Sequence, residues 1–152
     1  MGVLDMVERS WPVLRHGVGL HTHAYRASRG LIGHHVPILG IDMLLLDHVG
    51  AKSATKRTTP LLYIEDPAGG DAVAIIASKG GYPKHPAWFH NLKANPDTTV
   101  QIGREHRPVH ARVAEGEERR GFWDRAVELW PSYADYQART DRQIPVVVLD
   151  RR

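Results

Sequence analysis

Three cationic side chains stand beside turn-forming residues in the middle of the 152-residue chain. Lys52 and Arg57 flank the segment between two predicted strands, and Lys79 begins a Gly-rich turn after a third strand. The ends of neighbouring strands lie about 5 Å apart, so such cations can converge on one phosphate, with backbone N–H groups near Ser53 and Gly80 as further donors. The pattern allows an anchor for an anionic cofactor, although three solvated turn cations are the slightly favoured explanation of the spacing taken alone.

Aromatic and amide side chains follow these turns. Trp88, Asn91 and Leu92 recur at i, i+3 and i+4, which places them on one face of a helix. An indole beside an amide suits a flat heterocycle that needs both stacking and hydrogen bonds. A core position for Trp88 and a capping role for Asn91 fit the same spacing, so both interpretations stay open.

A second aromatic group comprises Trp130, Tyr133 and Tyr136, with the two tyrosines one helical turn apart. Phenol hydroxyl groups along a helix edge can close a pocket and donate to an acceptor such as a quinone carbonyl. Packing of these rings on the body of the domain would explain them equally well.

Composition and missing motifs argue against several other chemistries. The absence of cysteine excludes disulfides, thiolate metal sites and cysteine nucleophiles, and it fits a reducing cytoplasm. The ten histidines show no known ligand spacing, so no metal is expected, and no G-x-S-x-G elbow is present. A net charge of +3 without a sustained basic run gives no prediction of nucleic-acid binding. A cofactor-dependent enzyme remains possible because the cofactor then carries the reaction.

The hydrophobic pattern predicts one domain of antiparallel strands with short helices, a small β-barrel. The predicted strands cover 43–49, 60–65, 72–77, 98–102, 108–114 and 144–149. The predicted helices cover 86–95, 115–130 and 132–140, and 26–40 is predicted to be a loop. We place the barrel at 25–152, after an amphipathic helical segment at 1–24.

The amphipathic segment has apolar residues at three- and four-residue steps from Val3 to Leu14. Packing of this segment on its own domain is the favoured interpretation. Peripheral contact with a membrane, or cover for an apolar ligand, is the alternative.

Taken together, the separated motifs resemble the deazaflavin-dependent nitroreductase family, whose members are quinone and nitro reductases that use reduced coenzyme F-420. The matching motifs are Gly50-x-Lys52-Ser53, Arg57-x-x-Pro60-Leu61, Ala77-Ser78-Lys79-Gly80-Gly81, His85-Pro86-x-Trp88-x-x-Asn91-Leu92 and Tyr133-x-x-Tyr136-Gln137-x-x-Thr140-x-Arg142. The resemblance covers about residues 25–150. Trp130 stands where nitroreducing members carry Tyr, and Ala54 stands where Gly is usual.

The resemblance implies a mainly β (α+β) split β-barrel like that of the flavin-dependent pyridoxamine-phosphate oxidases, together with a set of site residues. Lys52, Ser53, Arg57 and Lys79 would hold the phosphate and oligoglutamate tail, and the Ile76–Ser78 strand end would contact the deazaflavin ring. The remaining cofactor-binding residues implied are Ala51, Pro60, Ala77, Ala87, Trp88, Phe89, His90, Asn91 and Tyr133. The residues implied to face the substrate are Ser78, Trp130, Tyr133 and Tyr136.

The function implied is hydride transfer from reduced F-420 to a quinone, or to another planar apolar acceptor such as a nitroaromatic compound. The alternatives are an FMN-dependent oxidoreductase on the same barrel and a non-catalytic carrier of the deazaflavin or of a lipid-like ligand. We expect a small-molecule acceptor, no nucleic acid, a monomer or homodimer, and a cytoplasmic location with or without peripheral membrane contact.

Overall fold

The computed structural model describes residues 17–36 and 40–152, so the segment from Val3 to Leu14 lies outside the described residues. The strands are β1 (His35–Val36), β2 (Ile41–Val49), β3 (Lys56–Leu62), β4 (Ile64–Glu65), β5 (Val73–Ile76), β6 (Asp97–Ile102), β7 (Glu105–Val113) and β8 (Val146–Arg151). The helices are α1 (17–27), α2 (Ala87–Ala94), α3 (Gly116–Leu129) and α4 (Ser132–Ala138), with a 3-10 turn at Lys79–Gly81.

The strands form one antiparallel sheet in the order β1-β2-β6-β7-β8-β5-β4, and β3 pairs with β2 beside this path. Both faces of the curled sheet are covered. An inner cluster joins Leu44, Val100 and Val147 to Trp88 and Phe89 of α2. An outer cluster forms against α3 and α4, which is why the sequences of β5 and β8 are almost continuously apolar.

One segment of chain, 56–65, bends from one side of the sheet to the other. β3 pairs with β2 through seven residue pairs, whereas β4 pairs with β5 through Ile64–Ala74 and Glu65–Val73. β3 contacts β5 without pairing to it in the described structure. Pro60, which has no N–H to offer, lies in this edge strand. The start of β3 and the end of β5 therefore lie at the same end of the sheet, because β3 continues into β4, which is antiparallel to β5.

The predicted fold class is confirmed: the chain is mainly β, with an antiparallel half-barrel and flanking helices. The predicted strand at 60–65 is two strands, and β1 was not predicted. The predicted loop at 26–40 begins inside α1, and the boundary we placed after residue 24 also falls in this helix. Tyr25 fixes α1 to the sheet: its fully buried hydroxyl donates to the Met43 carbonyl at 2.9 Å and accepts from Gly103 N–H at 2.8 Å.

None of the helices in the described residues is both long enough and apolar enough to cross a membrane.

Candidate active site

The β2–β3 turn carries the first group of predicted site residues. Gly50 N–H donates to the Thr55 carbonyl and Ala54 N–H donates to the Gly50 carbonyl, each at 2.9 Å. Ala54 adopts a φ of 55°, a left-handed conformation that Gly enters more easily. Lys52 and Ser53 are exposed at the tip. The closed turn therefore presents Lys52 and Ser53 to solvent at one end of the sheet.

The turn after β5 carries the second group. Lys79 has a φ of 45°, and Gly80 and Gly81 also have positive φ. A Cβ on Gly81 would stand 2.5 Å from the Tyr136 carbonyl oxygen, so the turn rests directly on the backbone of α4. The Lys79 ammonium lies 4.7 Å from the centre of the Tyr82 ring. The turn can approach α4 this closely only with Gly at position 81.

We call residues 50–57 and 78–84 the cation turns. Lys52, Arg57 and Lys79 make no ion pair with any carboxylate in residues 17–36 and 40–152. Lys56 and Lys84, which we did not predict as site residues, also lack an ion pair within that part of the chain. Positive charge therefore accumulates at one end of the sheet, and none of these cations is ion-paired with a carboxylate of the described residues.

Arg142 braces the second cation turn from behind, and we assigned it no role from the sequence. Its guanidinium donates to the carbonyls of Ser78 at 2.7 Å, Tyr82 at 2.8 Å and Ala77 at 3.1 Å, and to His85 Nδ1 at 3.1 Å. Burial lowers the pKa of His85, and Arg142 lowers it further. His85 is therefore a neutral acceptor, and Arg142 ties the chain between β5 and α2 into one unit.

Asn91 braces the first cation turn. Its Oδ1 accepts from Ala51 N–H, and its Nδ2 donates to His48 Nδ1, both at 2.9 Å. His48 Nε2 lies 2.9 Å from Thr59 Oγ1. Burial lowers the pKa of His48, and Arg57, its partner in the β2–β3 ladder, lowers it further.

Three of the four predicted substrate-facing residues belong to the outer cluster or pack against it: Trp130, Tyr133 and Tyr136. Trp130 and Tyr133 line a cavity of about 160 Å³, and the Tyr136 ring stands 6.0 Å from that of Tyr133. Ser78 and Tyr136 are not in the cavity wall. Burial raises the pKa of the Tyr133 hydroxyl far above its ordinary value. This hydroxyl therefore stays protonated at neutral pH and can serve as a hydrogen-bond donor.

The same cavity has an acidic side. Asp42 and Glu65 belong to its wall, together with Tyr63. Burial, reinforced by these two carboxylates, raises the pKa of Tyr63 to about 12. Tyr63 is thus a second protonated phenol at the cavity, and it was not among the predicted residues.

The remaining predicted residues are distributed over both faces of the sheet. Ala77, Trp88 and Phe89 belong to the inner cluster and are buried, with Trp88 only 6% exposed. Ile76 belongs to the outer cluster with Tyr133. Three further residues keep accessible surface: Pro60 on β3 is half-buried, and Ala87 and His90 on α2 are exposed. The buried rings of α2 can support a cofactor site, whereas little of their surface is open to a ligand.

Cations at one end of the sheet can bind phosphate or carboxylate groups, and the aromatic cavity on its outer face can hold a flat apolar molecule, so the site is that of a protein that binds a flat, anionic ligand. A family model described as F-420H(2)-dependent quinone reductase matches residues 18–151. The chain belongs to this family.

Individual relatives agree with the family match. The chain is 44% identical, over 88% of its length and 89% of theirs, to a putative F-420H(2)-dependent quinone reductase of Mycobacterium bovis and to an F-420H(2)-dependent quinone reductase of Mycobacterium tuberculosis. It is 48% identical to a solved structure of an F-420-H2 dependent reductase, with a TM-score of 0.64 over 71% of this chain and 93% of that one. A structure described as a domain-swapped dimer is 39% identical, with a TM-score of 0.67 over 98% and 100%.

Proposed function

We propose that this protein is an oxidoreductase that uses reduced coenzyme F-420 to reduce a quinone or another planar apolar acceptor, nitroaromatic compounds included. The observation that carries the proposal is the accumulation of uncompensated cations on the cation turns, in a member of a family named for reduced F-420 and quinones. Reduced F-420, when bound, supplies the electron pair of the reduction.

The donor set of the cation turns fits the anionic half of this coenzyme. Lys52, Arg57 and Lys79 have no carboxylate partner among the described residues, and the Ser53 hydroxyl lies beside the first of them. A charge-assisted hydrogen bond to phosphate or carboxylate contributes about 1.5–3 kcal/mol. We assign these four residues to the phosphate and oligoglutamate tail, which requires cations distributed along a groove rather than a single phosphate pocket.

The flat part of the coenzyme belongs, in this proposal, beside the strand end Ile76–Ser78. Arg142 holds the Ala77 and Ser78 carbonyls and so fixes the backbone at this place. Pro60 is half-buried on β3, the strand that contacts β5, and in this proposal it offers the ring a rigid apolar surface. These groups orient a ring and exclude water from one side of it.

We place the acceptor at the outer-face cavity, where the aromatic residues supply its contacts. Trp130 gives an apolar wall, and Tyr133 holds a proton on its hydroxyl oxygen. In residues 17–36 and 40–152 neither the Tyr133 nor the Tyr136 hydroxyl is engaged in a hydrogen bond with protein. The Tyr133 hydroxyl can therefore donate to a carbonyl or nitro oxygen in the cavity as negative charge develops on it, and the Tyr136 ring stands beside Tyr133.

The test is a set of separate fluorescence titrations with F-420, FMN and NADPH, followed by addition of menadione to whichever reduced cofactor binds. We expect binding of F-420 and oxidation of its reduced form only when menadione is present. Tight binding of FMN instead would indicate a flavin enzyme on the same barrel. Binding of F-420 without oxidation by any quinone would indicate a carrier.

For the assembly, we propose a homodimer, with the relative described as a domain-swapped dimer as the precedent. Light scattering coupled to size-exclusion chromatography tests this, and a monomer at micromolar concentration would contradict it.

A further inference from the structure

A buried chain of polar groups connects the β2–β3 turn to α2. Asn91 is 7% exposed and His48 is 5% exposed, although both are polar. Their contacts run in sequence from Ala51 N–H through the Asn91 amide and the His48 ring to the Thr59 hydroxyl. Buried polar groups cost free energy unless they are hydrogen-bonded. Removing one group of this chain would therefore leave its neighbour buried without a partner.

The donor and the acceptor of each hydrogen bond in this chain follow from the first bond, between Ala51 and Asn91. Ala51 N–H can only donate, so the atom of Asn91 that meets it is the amide oxygen. The amide nitrogen must then face His48 Nδ1, which accepts its hydrogen. His48 is therefore neutral with its proton on Nε2, and that proton is donated to Thr59 Oγ1.

We propose that Asn91 and His48 are positioning residues: they hold Ala51 and thereby the turn that presents Lys52 and Ser53, and they set the affinity for an anionic tail without contacting the ligand. This inference rests on the proposed F-420 function. The Asn91 amide already has a protein partner on both its oxygen and its nitrogen, and the residue is nearly buried. Its effect on a ligand therefore passes through the position of the β2–β3 turn, which its hydrogen bond with Ala51 N–H holds.

A comparison of two ligands separates positioning from direct contact. F-420 is titrated against the deazaflavin riboside, which has the same ring but lacks the phosphate and the tail. We expect Asn91→Ala to weaken binding of F-420 by about three- to tenfold, the effect of one hydrogen bond, and to leave binding of the riboside unchanged. An equal loss for both ligands, or no loss for either, would overturn the inference.

Two substitutions of His48 provide a second test, which can be carried out even if Asn91→Ala does not fold. His48→Asn keeps a side-chain oxygen close to the position of Nδ1, where it can accept from Asn91, whereas His48→Leu keeps the bulk and removes the acceptor. His48→Asn is expected to bind F-420 more tightly than His48→Leu. Equal affinities would overturn the role assigned to His48.

Amide hydrogen exchange without any cofactor keeps this inference distinct from the proposed function. The Ala51 amide should exchange faster in Asn91→Ala and in His48→Leu than in the wild type, while amides in the β7–β8 pairing stay protected. If the wild type bound no F-420, the proposed function would fail while faster exchange still showed the bracing. Unchanged exchange at Ala51 would overturn the bracing even in a protein that binds F-420.

Discussion

Two groups of cations on this molecule differ in what surrounds them. On the surface formed by β7, β8 and α3, which we call the paired surface, Arg112 contacts both Glu118 and Asp150, and Arg151 bridges Asp71 and Glu105. On the cation turns, Lys52, Arg57 and Lys79 have no such partner in the described ranges. The same residue types are thus neutralised within the fold in one place and left uncompensated in the other.

This difference separates structural charge from charge available to a ligand. Exposed ion pairs contribute little to stability, about 0–1 kcal/mol each, so the paired surface serves chiefly to cancel charge. Uncompensated cations concentrated at one end of the sheet attract polyanions, and that attraction weakens as salt screens it. The cation turns also receive support that the paired surface does not have: Asn91 holds one of them and Arg142 holds the other.

The comparison is tested most strongly by removing charge from each region in turn. The double variant Lys52→Ala/Arg57→Ala is expected to weaken binding of F-420 about a hundredfold or more, because two charge-assisted contacts are lost. Its turnover at saturating cofactor should change much less. Fluorescence titration at fixed ionic strength measures the affinity. Arg112→Ala removes a cation from the paired surface and should leave the affinity unchanged; similar losses in both variants would mean that only net charge matters.

Substitution of Gly80 and Gly81 tests whether the second cation turn depends on its contact with α4. Gly81→Ala should destabilise the protein by about 2–4 kcal/mol, because a Cβ at a φ of +80° would stand 2.5 Å from the Tyr136 carbonyl oxygen. Gly80→Ala is the matched control: its φ is +61°, but a Cβ there meets nothing within 4 Å, so the cost should be about 1 kcal/mol. Urea denaturation gives both values. Equal costs would show that the turn does not depend on contact with α4.

Lowering the pH should remove the stabilising contributions of the two regions in different pH ranges. Burial lowers the pKa of His48, assisted by Arg57 and opposed by Asp47, and burial also lowers the pKa of His85, assisted by Arg142, His90 and Lys93. A histidine whose folded pKa is depressed contributes stability that is complete above its unfolded value, 6.5, and that is lost as the pH falls from there through the folded pKa.

The carboxylates of the paired surface titrate in a lower range. Hydrogen bonds from arginine lower the pKa values of Glu105 and Glu118, so their contribution is lost only as the pH falls below the unfolded value of 4.5. Denaturation measured between pH 7.5 and 4.5 should therefore show a loss that His48→Gln reduces and Glu118→Gln does not. A loss that Glu118→Gln reduces in this range would contradict the assignment.

Sequence patterns could predict the sheet and the chemically active segments, but not what braces them. β5 and the first four residues of β8 are apolar runs, and Lys52, Arg57 and Lys79 stand beside turn formers, so these features are local. The Ala51–Asn91 bond joins residues 40 apart, and the Arg142–Ser78 bond joins residues 64 apart. No local pattern marks such partners.

Other differences have the same origin in tertiary packing. The predicted helical segment ends at residue 24, whereas α1 continues to residue 27, where its Tyr25 is held by contacts with distant strands. Trp88 satisfied the helical spacing of a binding face, yet the sheet curls over it and leaves it 6% exposed. Spacing defines which residues share a face, whereas the sheet decides whether that face meets solvent or core.

The smallest expected effect is at Ala54 in the first cation turn. It tests whether the affinity for F-420 depends on the strained backbone of this turn or on its cations. Ala54 is held at a φ of 55°, where Gly has no steric cost, so Ala54→Gly should be neutral or stabilising by up to about 1 kcal/mol. Ala51, in the same turn, does not have a positive φ, so Ala51→Gly only frees the unfolded chain and should destabilise by about 0.5–1 kcal/mol. In thermal denaturation, Ala54→Gly should raise the Tm or leave it unchanged, whereas Ala51→Gly should lower it. Because Ala54→Gly keeps the turn and its cations, F-420 affinity should persist; a large loss would mean that a strained turn, and not its charge, creates the site.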